Sequence, residues 1–299
     1  MKTKTSVLAI SIAMAVAACG GGNGSSNPVG NGGTPTGSGK TTPGVWQGTT
    51  TSTTTGTTNI IGMTDTSGNS VWMSTDGRVW TGQMPVTATH ASLNMTGYMY
   101  PGRQFPDGSN YGMWSMTGND SNGTWSGQLD GSGDHMTFSL SMQPGYSQPA
   151  SLDILAGTYT RTTSIGYAMT LSFASTGQLT GSDSRGCVFN GTVAVPDPTH
   201  NLYQISATVT SCGILDGTYQ GHGTLLDASA MQSWMSSMGC FQYGSGGWGG
   251  GMMGGGMMDG RDHHWWPYDG TNTVPSGTRN LFMFAMTDGR HAIMDALAR

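Results

Sequence analysis

No glutamate occurs in the 299 residues, so all 16 acidic side chains are aspartate, and beyond Lys4 the only lysine is Lys40. Glutamate and lysine are strong helix formers. Their scarcity beside 50 glycines and a Thr/Ser/Asn-rich background points to an all-β chain. The missing glutamate also removes the HExxH metalloprotease motif, the EF-hand loop and a Glu acid–base pair together. GxSxG and the P-loop are absent, as is a GxGxxG followed by a Rossmann pattern. The histidines are scattered at 90, 135, 200, 222, 263, 264 and 291. Asp134-His135 and His222 fall near expected strand ends and could meet at a rim, yet nothing separates them from solvated turn residues. The expectation is a protein that is not an enzyme.

Long apolar runs are missing too. The longest, Val7 to Ala18, falls well short of the roughly 20 residues a membrane-spanning helix needs. It has the length of a signal-peptide core, with Lys2 and Lys4 before it and the small pair Ala17-Ala18 directly before Cys19. Val16-Ala17-Ala18-Cys19 resembles the lipobox of bacterial lipoproteins. The resemblance implies that residues 1–18 are a signal peptide and that Cys19 becomes a diacylated, N-acylated N-terminus. Three acyl chains would hold the protein far more firmly than one. Gly20, rather than Asp, follows the cysteine, which in Gram-negative lipoproteins implies the outer membrane. An ordinary secretory signal with an incidental cysteine is the alternative.

Loss of that leader takes Lys+Arg from 11 to 9 against 16 Asp, a net charge of −7. With no basic run, neither nucleic acid nor an anionic lipid surface is an expected partner. Membrane attachment would come from the lipid alone, and the body is expected to be a monomer. Residues 19–44 are a Gly/Ser/Thr-rich tether that, as flexible coil, spans roughly 28 Å.

From Val45 onward short alternating runs are punctuated by turns. Asp-Gly occurs at Asp76, Asp107, Asp130, Asp216, Asp259, Asp269 and Asp288, and Asn-Gly at Asn122 and Asn190. These dipeptides accept the positive φ of type I′ hairpin turns, which accounts for most of the aspartate. Two halves resemble one another, 45–150 and 151–299. Val45-Trp46-Gln47-Gly48 is echoed by Gly157-Thr158-Tyr159-Thr160, Ser74 to Gly82 by Ser175 to Gly181, and Gly123 to Gly127 by Gly217 to Gly221. His135 to Met142 matches Asn280 to Met286 in type. We read tandem antiparallel β-meanders joined near 143–156, with chance likeness between Gly/Thr-rich strands as the alternative.

In the second half, strands are expected at 157–163, 167–174, 178–183, 187–195, 202–210, 217–226, 280–287 and 290–297. Eight up-and-down strands suit a closed barrel, which leaves no exposed edge. Strand count and Gly-aromatic openings give this half a resemblance to the lipocalin and avidin-like meander barrels. About seven strands are expected in the first half, as a smaller barrel or a sandwich.

With Cys19 assigned to lipid, Cys187, Cys212 and Cys240 remain. Cys187 and Cys212 lie equidistant from a point between Thr199 and His200 in the polar link 196–201, so an antiparallel hairpin brings them together. A disulfide is expected there, and Cys240 is left over. Finally, the insertion 228–278 interrupts the second meander. It carries Met252, Met253, Met257, Met258, His263 and His264, a thioether and imidazole set suited to Cu(I). A solvent-exposed low-complexity insert reads the same way. No cofactor is otherwise expected, and the ligand or protein partner is not specified. The expectation is thus a lipid-anchored envelope module for binding or interaction, with copper handling as the alternative.

Overall fold

The computed structural model describes residues 43–84, 86–87, 90–121, 123–162, 166–227 and 279–299. Cys19, Cys240 and the six candidate copper ligands lie outside them.

The first half comprises β1 (Gly44–Ser52), β2 (Gly56–Thr64), β3 (Asn69–Ser74), β4 (Arg78–Gln83), β5 (Val86–Thr87), β6 (His90–Met99), β7 (Tyr111–Ser121), β8 (Thr124–Gly131) and β9 (Asp134–Met142). All pairings are antiparallel. The meander closes into one ring, in which β1 pairs with β9 and β4 pairs with β6 from Arg78↔Met99 to Gly82↔Met95. The two-residue β5 pairs with the start of β6. The open choice between barrel and sandwich is therefore decided for an eight-stranded barrel, equal in strand number to its neighbour.

A 3-10 turn (Pro144–Ser147) and α1 (Leu152–Leu155) lead into the second half. Ser151 caps α1 by accepting from the Ile154 N–H at 3.1 Å. There follow β10 (Gly157–Thr162), β11 (Ala168–Phe173), β12 (Gln178–Asp183), β13 (Val188–Ala194), β14 (Tyr203–Thr210), β15 (Gly217–Leu226), β16 (Leu281–Thr287) and β17 (Ala292–Ala298). They form the expected eight-stranded up-and-down barrel. The insertion leaves from the end of β15 and returns before β16.

The echoed segments do not occupy equivalent places. Ser74 to Gly82 reaches the fourth strand of its barrel but Ser175 to Gly181 the third, and Trp125 sits on the seventh strand where Tyr219 sits on the sixth. Likeness between the halves is thus one of strand type rather than strand-for-strand correspondence. A closer repeat lies within the second barrel. Ile154-Leu155-Ala156-Gly157-Thr158-Tyr159 and Ile214-Leu215-Asp216-Gly217-Thr218-Tyr219 each form a helical turn followed by a strand. In both, the tyrosine hydroxyl donates 3.0 Å back to the carbonyl of the leucine four residues earlier. Because β10 and β15 run in opposite directions, these two turns stand at opposite ends of the barrel.

Strand burial separates two kinds of face. β9 and β14 alternate buried and exposed, as half-buried strands do, whereas β2 and β3 end in, and β16 and β17 begin with, runs buried on both faces. The outer faces of these four strands meet. Ile61, Met63, Val71 and Met73 of the first barrel join Met283, Ala285, Met294 and Ala296 of the second in one apolar seam.

Candidate functional site

Both barrel interiors are filled by side chains. In the first, Trp46, Trp72, Trp80, Trp114 and Trp125 are at most 2% exposed and pack with methionines and leucines. Glycine makes room for them. Gly62 lies opposite both Trp46 and Trp72, Gly97 opposite Trp80, and Gly131 opposite Trp114. A Cβ on Gly62 would stand 2.5 Å from the Trp72 ring. Among the described residues none of the five indole N–H groups has a hydrogen-bond acceptor. Edge-to-face contacts, such as Trp80–Trp114 at 5.7 Å and Trp72–Trp125 at 5.4 Å, set positive ring edges on neighbouring π faces and offset part of that cost. A residual void bounded by Ile60, Trp72, Trp80, Met95, Met116, Leu129 and Phe138 has no room for a water molecule. The second interior is packed with Tyr159, Phe173, Phe189, Tyr203, Tyr219, Phe282 and Phe284.

Each interior also holds an arginine–aspartate pair. Arg78 is fully buried, with Nη1 2.8 Å from Asp134 Oδ2 and Nη2 donating to Thr55 Oγ1 at 3.2 Å. Its Nε stands 3.2 Å from Asp76 Oδ2 in an ion pair without hydrogen-bond geometry. Ser52 Oγ donates to both oxygens of Asp134 at 2.8 Å. In the second barrel Arg161 Nη1 meets Asp295 Oδ1 at 2.7 Å. Burial pushes the Asp295 carboxyl up, and Arg161 opposes that shift. Nearby, Tyr100 reaches over from the first barrel to hydrogen bond Arg185, whose guanidinium lies 5.1 Å over the Tyr167 ring. These pairs fill the barrels; they do not open onto them.

Cys187 and Cys212 are joined as a disulfide. The register differs by one from the equidistance argument, since Val188 pairs with Thr210 and the hairpin is centred on Thr199. Cys187 would face Ser211, and Ser211 takes a left-handed backbone (φ 60°) that carries Cys212 into reach. Asp134, His135 and His222 do not assemble into a site. Asp134 is committed to Arg78, the exposed His135 pairs with Asp130, and the buried His222 pairs with Asp65. Among the described residues no cluster of three or more His, Cys or Asp is placed to hold a metal.

The outer surface is uncharged over long stretches. Thr158, Ser172, Thr180, Asn190, Thr208 and Thr218 form a single row across six strands of the second barrel, each paired to the next. Threonine suits exposed strand positions on its own account, so the row is the predictable surface of a β-protein that has almost no lysine and no glutamate. No protein-family model, no curated protein and no solved structure matches the chain.

Proposed function

We propose that the protein is an outer-membrane lipoprotein, anchored through Cys19 and lifted by the 19–44 tether. Its double-barrel body acts as a non-enzymatic interaction module. The observation that carries the interaction reading is the filling of both barrels. Small-molecule sites are concave and largely pre-formed, with volumes of roughly 300–1,000 Å³. Interiors packed with tryptophan, tyrosine and phenylalanine show no such space among the described residues. Recognition then falls to the outer strands, the loops and the join between the barrels. The anchor reading rests on Val16-Ala17-Ala18-Cys19. It is tested by feeding labelled palmitate to cells making the protein and a Cys19→Ser variant. Label should enter the first and not the second, and the variant should leave the membrane fraction. A variant that remains there sinks the anchor.

Copper handling is the second reading, supported by four thioethers and two imidazoles between Met252 and His264. Titration of the full-length protein with Cu(I) against a competing chelator tests it. Replacing Met252, Met253, Met257, Met258, His263 and His264 should remove the tightest phase. Identical titrations would end the copper reading.

A further inference from the structure

A concavity among the described residues lies outside both barrels. Where the link after β9 passes the end of β15 and the approach to β16, a cleft of ≈300 Å³ opens between Gln143, Pro144, Gln148, Leu225, Asp227 and Arg279. Its walls are tied together by Asn201, which is fully buried. The Asn201 amide donates to the Leu225 and Gly145 carbonyls, while its Oδ1 accepts from the Leu225 N–H and from Arg279 Nη2, each at 3.2 Å. The cleft is therefore built from fixed backbone rather than from a loose surface.

Its charges are incompletely answered. Arg279 sits at φ 53°, held by its own N–H donating to Asp227 Oδ1 at 2.7 Å. Among the described residues the guanidinium gives one hydrogen bond, to a neutral amide, forms no ion pair, and has no acceptor for its buried Nε–H. A guanidinium taken partly out of water without an anion is costly, and its fork of donors matches a carboxylate. Asp227 lines the same cleft, and no cation lies within ion-pair distance of it among the described residues. The pair sums to zero, so a multiply charged anion such as phosphate would gain from Arg279 and lose to Asp227.

We propose that this cleft binds a small zwitterion of the α-amino-acid class. Arg279 takes the ligand carboxylate, Asp227 takes its ammonium, and Pro144 and Leu226, which line the same cleft, face an apolar side chain. The volume lies at the lower end of the ligand-pocket range, which suits a single amino acid.

The test is calorimetric titration of the full-length protein, in detergent, with L-leucine and with two analogues lacking one charge each, N-acetyl-L-leucine and L-leucinamide. L-leucine should bind, and each analogue should bind at least ~10-fold more weakly, the effect expected on losing a charged hydrogen bond. No heat with millimolar L-leucine overturns the proposal, and so does equal affinity for either analogue. Arg279→Met should abolish binding and Arg279→Lys should weaken it, with thermal melts showing that each variant is folded. Unchanged affinity in a folded Arg279→Met protein overturns the assignment of the carboxylate. The analogue series reads the same point in the unmutated protein, whatever the variants do to folding.

Discussion

His222 Nε2 on β15 lies 3.3 Å from Asp65 Oδ2 at the end of β2, and this contact crosses from one barrel to the other with both side chains 6% exposed. Asp65 is doubly engaged. Its Oδ1 accepts the N–H groups of Ser67 and Asn69 at 2.8 and 2.9 Å, which shapes the β2–β3 turn, and its Oδ2 accepts from the Asn69 side chain as well as from His222. The same carboxylate therefore sets a hairpin and positions a neighbour. Within an otherwise apolar seam of Met, Val and Ala, a polar pair of this kind selects one docking register.

A pH dependence follows from that carboxylate. Burial alone would push it up, but the hydrogen bonds from His222 and Asn69 outweigh burial and hold it at about 2, against an ordinary 3.8. A depressed carboxylate favours the folded state above pH 3.8, and that contribution is lost as pH falls from there through about 2. Chemical unfolding followed between pH 5 and 2 should show the loss in the natural protein and a shallower acid limb in Asp65→Asn. Asp65→Asn should cost about 1–3 kcal/mol at neutral pH. Parallel acid limbs would show that Asp65 carries none of the dependence.

The disulfide closes a loop whose ends are 25 residues apart in sequence. On the chain-entropy account it stabilises the fold by about 3.5 kcal/mol. A Cys187→Ser/Cys212→Ser protein should reach its urea midpoint at lower concentration with a slope no smaller than that of the natural protein, because the unfolded chain freed of the cross-link is less compact and exposes more surface. A midpoint equal to that of the natural protein would mean that Val188 to Thr210 pairing alone sets this hairpin.

How far these features could be read in advance depends on the range of the interaction. Local alternation and turn dipeptides place strands well, and the run 178–183 is found as β12 at those bounds. The cysteine pair is legible because equidistance in a hairpin is also local, and it is off by only one residue where Ser211 turns left-handed. Leu281 to Met286 is different. An unbroken apolar run shows that both faces are covered without showing that the second cover is the other barrel. Asp65 and His222, 157 positions apart, leave no mark in any local pattern. Nor does Arg78, because the Asp-Gly turn beside it accounts for Asp76 without reference to a buried cation. Asn201 and Arg279 stay hidden for the same reason. Each looks like a loop residue until the link between the barrels is folded over it.

Arg78 gives a sharper stability test. Arg78→Met removes the cation and leaves the Asp134 carboxylate buried, together with Asp76. Breaking such a pair from one side costs about 3–5 kcal/mol, whereas neutralising the whole group costs far less. Urea unfolding should therefore show a large loss for Arg78→Met and partial recovery when Asp76→Asn and Asp134→Asn are added. A single variant within about 1 kcal/mol of the natural protein would mean that the buried ions are replaceable by packing alone.

The glycines facing tryptophan predict a contrast between two changes that look alike on paper. A Cβ at position 62 meets three atoms of the Trp72 ring at 2.5–2.7 Å, closer than atoms can stand, while a Cβ at position 145 meets nothing within 4 Å. The ring cannot swing away freely, since Trp72 is 1% exposed and in edge contact with Trp125. Overpacking of this kind costs about 1–3 kcal/mol. Gly62→Ala should lower the urea midpoint and alter the near-ultraviolet dichroism of the tryptophan cluster, and Gly145→Ala should do neither. If Gly62→Ala left the dichroism untouched, the ring would have room that the packing denies it, and the reading of this barrel as solid would fail with it.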